Sequence, residues 1–235
     1  MFLKEKSNAI VLGREDYGEA DQKVILLTDC FGKISAVANG EKKILSKLRA
    51  GLSLFNWSEI ELIFGRNLPI ITMARPRNCF VNLSHNWQKF VIAQKMAQDI
   101  DILIPRDLAE NDIWLLSLGA FHALNSINGH YQRLYYYFLW TLLSVSGYEI
   151  DLYRCARCGQ KLPPDSFLVA EEGIICNSCL SDKDYFEIIS PNTIKILRII
   201  ARKDKNILSR IQMSTDDREN LKKISQFFLE SNCLN

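Results

Sequence analysis

Histidine is scarce in this 235-residue chain. His85, His122 and His130 lack the spacing of a helical metal pair or of a triad partner, and each reads as a packed or capping residue. No phosphate-binding loop occurs, and Gly-x-Ser-x-Gly, Gly-x-Gly-x-x-Gly and His-Glu-x-x-His are all missing. Asp99 and Asp101 are carboxylates two positions apart, which a helix turns in different directions. The chain is therefore not expected to be an enzyme. Long apolar runs are missing too. The richest stretch, residues 134 to 147, is broken by Thr141, Ser144 and Ser146 and falls short of the ~18 residues of a membrane span. The opening MFLKEKSN has no apolar h-region, and neither internal repeats nor low-complexity segments occur. A soluble, cytoplasmic protein with no membrane partner is expected. With 48% hydrophobic and 24% charged residues, the composition is that of one large or two small globular domains.

Cysteine, by contrast, is patterned. Four of the seven cysteines lie in CARCGQKLPPDSFLVAEEGIICNSC, residues 155 to 179, as two Cys-x-x-Cys pairs separated by 17 residues. Each pair can sit on a tight knuckle that presents two thiolates, and the intervening segment can double back as a hairpin, which suits a tetrahedral zinc site. Gly159 follows the first pair and can take the positive φ of such a turn. A redox dithiol would need one pair at a helix start, usually in a βαβ context. A disulfide framework would need an oxidising compartment, and Cys30, Cys79 and Cys233 have no framework spacing. The reading is one structural zinc per chain, held by Cys155, Cys158, Cys176 and Cys179. A site closed by four cysteines offers no position for water or substrate, which leaves a zinc hydrolase as a distant third reading.

The net charge of +2 hides an uneven distribution, because residues 1 to 80 carry 12 Lys/Arg against 9 Asp/Glu. Within them ANGEKKILSKLRAG, residues 38 to 51, sets Lys42, Lys43, Lys47 and Arg49 against the single acid Glu41. Such a run suits a polyanion, although a solvated charged loop is the commoner explanation of a run of this kind.

The first 80 residues read as five strands, 9 to 13, 23 to 29, 33 to 38, 58 to 64 and 68 to 74, the last closed by Pro76. Five short strands with a longer connection between the third and fourth suit an OB barrel, and strand count alone does not separate this from an SH3-like one. From about residue 85 the apolar period changes to 3.6, with Phe90, Ala93, Met96, Ala97, Ile100 and Leu103 on one stripe stopped by Pro105. Segments 111 to 125 and 131 to 148 are apolar nearly all round, as buried helices are. Ser190-Pro191 opens a further helix and Ser214 with Asp217 opens the last. The expected fold is α+β: an OB-fold domain over 1–80, then a helical domain over 81–235 with a zinc hairpin inserted at 153–181. OB barrels bind single strands by tracking phosphates with Lys/Arg and stacking bases on aromatics, and Phe31, Phe55 and Trp57 are the aromatics nearest the positive run. The run Tyr135 to Phe138 with Trp140 reads as core or as stacking surface.

AIVLGREDYGEADQKVILLTDCFGKISAVANG, then Ser46 and LRAGLSLFNWSEIELIFGR, LLSVSGYEIDLYRCARCG and ISPNT occur here in an order that resembles the bacterial RecO proteins of recombinational DNA repair. Residues 80 to 130 match only in helical character. The resemblance implies an OB domain, a helical middle and a zinc hairpin that not every member retains. It implies binding to single- and double-stranded DNA, annealing of complementary strands, and action with RecR and in some cases RecF to help RecA replace single-stranded DNA-binding protein. Such a mediator would be nucleoid-associated. Many members have Lys-Gly or Arg-Gly followed by a basic run where this chain has Asn39-Gly40-Glu41 before Lys42 and Lys43. DNA contact is therefore expected to be weaker at this loop or shared, with Arg14, Lys33, Lys42, Lys43, Lys47, Arg49, Arg66, Arg75 and Arg77 as the candidate set. The alternative is a zinc-stabilised protein-interaction scaffold in which DNA contact is incidental.

Overall fold

The computed structural model describes residues 3–162, 167–170, 173–181, 187–202 and 212–233. It divides into two compact units, Met1–Tyr135 and Tyr136–Asn235. Among the described residues no helix is long and apolar enough to cross a membrane.

The first unit opens with β1 (Leu3–Tyr17), β2 (Asp21–Thr28), β3 (Gly32–Ala38), β4 (Trp57–Phe64) and β5 (Ile70–Asn78). They close into a barrel of order β1-β2-β3-β5-β4. β1 is longer than its apolar run because it serves two partners, pairing β4 along Leu3–Ile10 and β2 along Ala9–Tyr17, with an irregularity between Val11 and Gly13 where it bends. β3 meets β5 in parallel, Val37 opposite Ile70. A simple meander would pair β3 with β4. The long connection at 39–56 lets β5 come between them, which is the OB order and decides against the SH3-like alternative.

Inward residues alternate as a closed sheet requires: Val24 and Leu26 from β2, Ile34, Ala36 and Ala38 from β3, Ile60 and Leu62 from β4. β5 does not end at Pro76, as the sequence suggested, but runs to Asn78. Pro76 lies opposite Ser58 beside a register shift, and β5's other neighbour β3 touches only its start, so the missing N–H breaks no ladder there. β3 is buried on both faces, since residues 106–109 lie across its start. Gly32 takes φ +65°, and a Cβ there would stand 2.1 Å from the Leu108 carbonyl oxygen, so only glycine admits this approach.

α1 (Val81–His85), α2 (Trp87–Leu103) and α3 (Asn111–Ser126) complete the unit. Of the expected stripe, Ala93, Met96, Ala97, Ile100 and Leu103 are buried and Phe90 at its start is half-buried. Phe55, Phe90, Phe80 and Phe121 form an aromatic cluster, with Phe55 edge-on to Phe90 at 5.5 Å and stacked on Phe121 at 5.8 Å. His122 packs edge-on against Phe80 and Trp57, as a core histidine.

α4 (Tyr131–Val145) runs from the first unit into the second. The second unit holds a small sheet of order β7-β6-β8, made of β6 (Phe167–Ala170), β7 (Gly173–Ile175) and β8 (Glu187–Ile189), with α5 (Pro191–Ala201) and α6 (Thr215–Cys233). Tyr136, Tyr137 and Phe138 are buried, which settles the aromatic run as core. Trp140 donates to Ser225 Oγ at 3.2 Å and meets Phe228 edge-on. Ser190 caps α5 by accepting from the Thr193 N–H at 3.1 Å. Ser214 and Asp217 cap α6 reciprocally: the Asp217 N–H donates to Ser214 Oγ at 3.0 Å, and the Ser214 N–H to Asp217 Oδ2 at 3.0 Å. The hairpin expected over 153–181 lies partly outside the described residues, at 163–166 and 171–172.

Candidate metal centre and nucleic-acid interface

The four sulfurs of Cys155, Cys158, Cys176 and Cys179 all lie within 4.8 Å of one another. Each pair sits on a knuckle. The Gly159 N–H donates to the Cys155 carbonyl at 2.9 Å with Gly159 at φ +71°, and the Cys179 N–H donates to the Cys176 carbonyl at 3.0 Å across the single helical turn Asn177–Cys179. The arms are joined by the Ala156 N–H donating to the Ile174 carbonyl at 2.8 Å. Arg198 on α5 fixes the entry to the first knuckle, donating twice to the Leu152 carbonyl and stacking over the Tyr153 ring at 4.4 Å.

The donor chemistry fits a dication. Sulfur ligands at about 2.3 Å from a tetrahedral zinc stand about 3.8 Å apart, and Cys158 Sγ lies 3.7 Å from Cys176 Sγ. Burial pushes the Cys155 thiol up, but the backbone N–H groups of Cys158, Cys176 and Arg157 outweigh it and bring it down to about 6. Hydrogen bonds to Cys176 and Cys158 push Cys179 up to about 12. A bound Zn²⁺ would let all four ionise.

The candidate DNA-binding cations separate into committed and presented groups. Lys33 is 6% exposed and its ammonium is bonded to Asp101, through the main-chain carbonyl and through the carboxylate at 3.0 Å. It does not face solvent, a correction to the sequence reading: the Asp101 that binds it lies 68 residues away in the chain. Arg14 is held by Glu41 at 2.6 Å and by Gln22. Lys42 pairs with Asp16 at 2.9 Å and donates to the Gly18 carbonyl, and Arg77 pairs with Glu59. Lys43, Lys47, Arg49, Arg66 and Arg75 are exposed and make no ion pair among the described residues.

Glu41 changes meaning in the structure. The sequence shows it as an acid diluting a basic loop, yet its side chain is 1% exposed and serves as the anchor for Arg14. With the Gly40 N–H donating to Asp21 Oδ1 at 2.7 Å and the Lys42 N–H to the Ala20 carbonyl at 3.0 Å, it ties the start of the β3–β4 connection to the β1–β2 turn. No local signal links Glu41 to Arg14 or Asp101 to Lys33. The aromatic expectation is corrected as well. Phe55 is 3% exposed inside the phenylalanine cluster and is no open stacking platform, while Phe31, packed on Phe64 at 5.0 Å beside the barrel core, and Trp57, packed on His122, are half-buried.

Residues 1–80 match the model of the recombination protein O N terminal, and residues 84–233 match that of its C terminal. The chain belongs to the RecO family. It is 31% identical over 214 residues to the DNA repair protein RecO of Heliobacterium modesticaldum, covering 88% of this chain and 77% of that protein. It is 25% identical over 229 residues to that of Desulfitobacterium hafniense, covering 95% and 83%. With the protein of the same name from Dehalococcoides mccartyi it shares 30% identity over 213 residues, covering 90% and 83%. The two RecO models divide this chain so that one spans the barrel and the other the four-cysteine cluster.

Proposed function

We propose that this RecO-family chain is a recombination mediator without covalent chemistry of its own. It binds single- and double-stranded DNA, anneals complementary strands and, with RecR and with RecF as a further partner, helps RecA replace single-stranded DNA-binding protein in the bacterial cytoplasm, at the nucleoid. In this reading the barrel domain, residues 1–80, leads DNA binding, and residues 81–235 carry one structural zinc on Cys155, Cys158, Cys176 and Cys179. The ion would join the two knuckles of the hairpin, and its full set of sulfur ligands leaves water no place on it.

The observation that carries the proposal is the β3–β4 connection of an OB-order barrel, where Lys43, Lys47 and Arg49 are exposed and make no ion pair among the described residues, while Arg14 and Lys42 hold the loop's base. Phosphates need cations not already satisfied by the protein, and these three meet that condition. Arg66 in the β4–β5 connection and Arg75 on β5 add to the set. The test is equilibrium binding of the purified chain to single- and double-stranded oligonucleotides across a salt series. Binding should weaken log-linearly as salt rises, with similar affinity for unrelated sequences. No salt-sensitive binding, together with tight binding to a protein partner, would replace this proposal with the interaction scaffold.

A further inference from the structure

Residues 43–46 form a tight turn closed by the Ser46 N–H donating to the Lys43 carbonyl at 3.0 Å. Its two central residues, Ile44 and Leu45, are 91% and 92% exposed. Central turn positions default to Gly, Pro, Asn, Asp and Ser, each for a conformational reason that Ile and Leu do not share. Single exposed apolar residues are ordinary. An adjacent pair at the apex of a turn, set there against local preference, points to use. The base of this turn is held by Gly40 and Lys42 on the β1–β2 turn, so the pair is presented by structure rather than by slack chain.

The surroundings state what the pair meets. Lys43, Lys47 and Arg49 flank it, and from Lys42 to Ser58 the chain contains no Asp or Glu. Two exposed aliphatic side chains on a segment whose three exposed cations make no ion pair among the described residues complement a polyanion that also has apolar faces, and nucleic acid is that polymer. Aliphatic wedges of this kind enter between bases and unstack them.

We infer that Ile44 and Leu45 form an insertion wedge that enters between neighbouring bases of a strand whose phosphates are held by Lys43, Lys47 and Arg49. This rests on the DNA-binding reading above and adds to it a contact that is not electrostatic. Cations alone hold a strand along its backbone. The wedge separates its bases and turns their pairing edges toward a second strand.

The test uses the full chain and a single-stranded oligonucleotide carrying one 2-aminopurine, whose fluorescence rises when the base leaves the stack. Wild type should raise the signal on binding. Ile44→Ser with Leu45→Ser, substitutions at exposed positions, should leave thermal stability unchanged, keep the salt slope, weaken binding by about tenfold and abolish the rise. A wild type that binds without a fluorescence rise, or a double variant with wild-type affinity and a wild-type rise, overturns the wedge. A wild type that does not bind the oligonucleotide at all overturns the DNA-binding reading instead, and the wedge falls with it.

Discussion

Replacing Arg14 with Ala probes directly how the basic loop is held. Glu41 is 1% exposed and its carboxylate lies 2.6 Å from the Arg14 guanidinium, which itself retains 26% exposure. Removing one partner of a buried ion pair leaves an uncompensated charge and costs about 3–5 kcal/mol. The partial exposure of Arg14 admits some solvent screening, which places the expectation near about 3 kcal/mol. Glu41→Leu made together with Arg14→Met leaves no orphan charge and should cost about 1 kcal/mol or less. Urea unfolding followed by tryptophan fluorescence reports on this unit, which contains Trp57, Trp87 and Trp114. The expected pattern is a large loss for Arg14→Ala and near-recovery in the double variant. A loss under about 0.5 kcal/mol for Arg14→Ala would refute the clamp, because an orphaned carboxylate at that burial cannot be so cheap.

Lys43→Ala with Lys47→Ala and Arg49→Ala should flatten the log-log salt dependence of DNA binding by about 2–3 units, whereas Lys42→Ala, already paired with Asp16, should change it less than any of the three alone. Cys158→Ser should lower the melting temperature by about 5–10 °C and reduce the zinc found in freshly purified protein, while leaving DNA affinity per folded molecule unchanged. Burial raises Asp99 to about 7, against the smaller opposing effects of the Tyr135 hydroxyl and Lys95. The native state therefore binds the proton more tightly than the unfolded chain, so stability falls as pH rises from about 4 to 7 and the full penalty stands above 7. At about 1.4 kcal/mol per unit, Asp99→Asn should be more stable than wild type at pH 8 by up to about 4 kcal/mol, with the gap closing as pH falls toward 4.

What was legible in the sequence was whatever chemistry is local. Two Cys-x-x-Cys knuckles, a Ser-Pro helix start, a Ser-x-x-Asp cap and the 3.6-residue stripe of α2 each declare themselves within a few residues, and the structure places them as read. The residues misread were those whose meaning depends on a distant partner. Lys33 is a surface cation until Asp101 covers it, Glu41 a diluting acid until Arg14 reaches it, and Phe55 a free ring until Phe90 and Phe121 close over it. Pro76 looked like a strand end because the open side of β5 that tolerates it is a property of the barrel, not of the segment. Ile44 and Leu45 give no local signal, because an apolar pair between strands is ordinary and only its exposure sets it apart.

Strand annealing in the presence of single-stranded DNA-binding protein, without nucleotide, separates a mediator from an interaction scaffold. Two complementary oligonucleotides coated with that protein should anneal faster when this chain is added. The rate should fall steeply as salt rises and fall again when Lys43, Lys47 and Arg49 are replaced together. It should persist in EDTA for as long as the fold keeps its metal. Annealing unchanged by the chain, or unchanged by the triple replacement at low salt, would contradict a mediator that works through the barrel's unpaired cations.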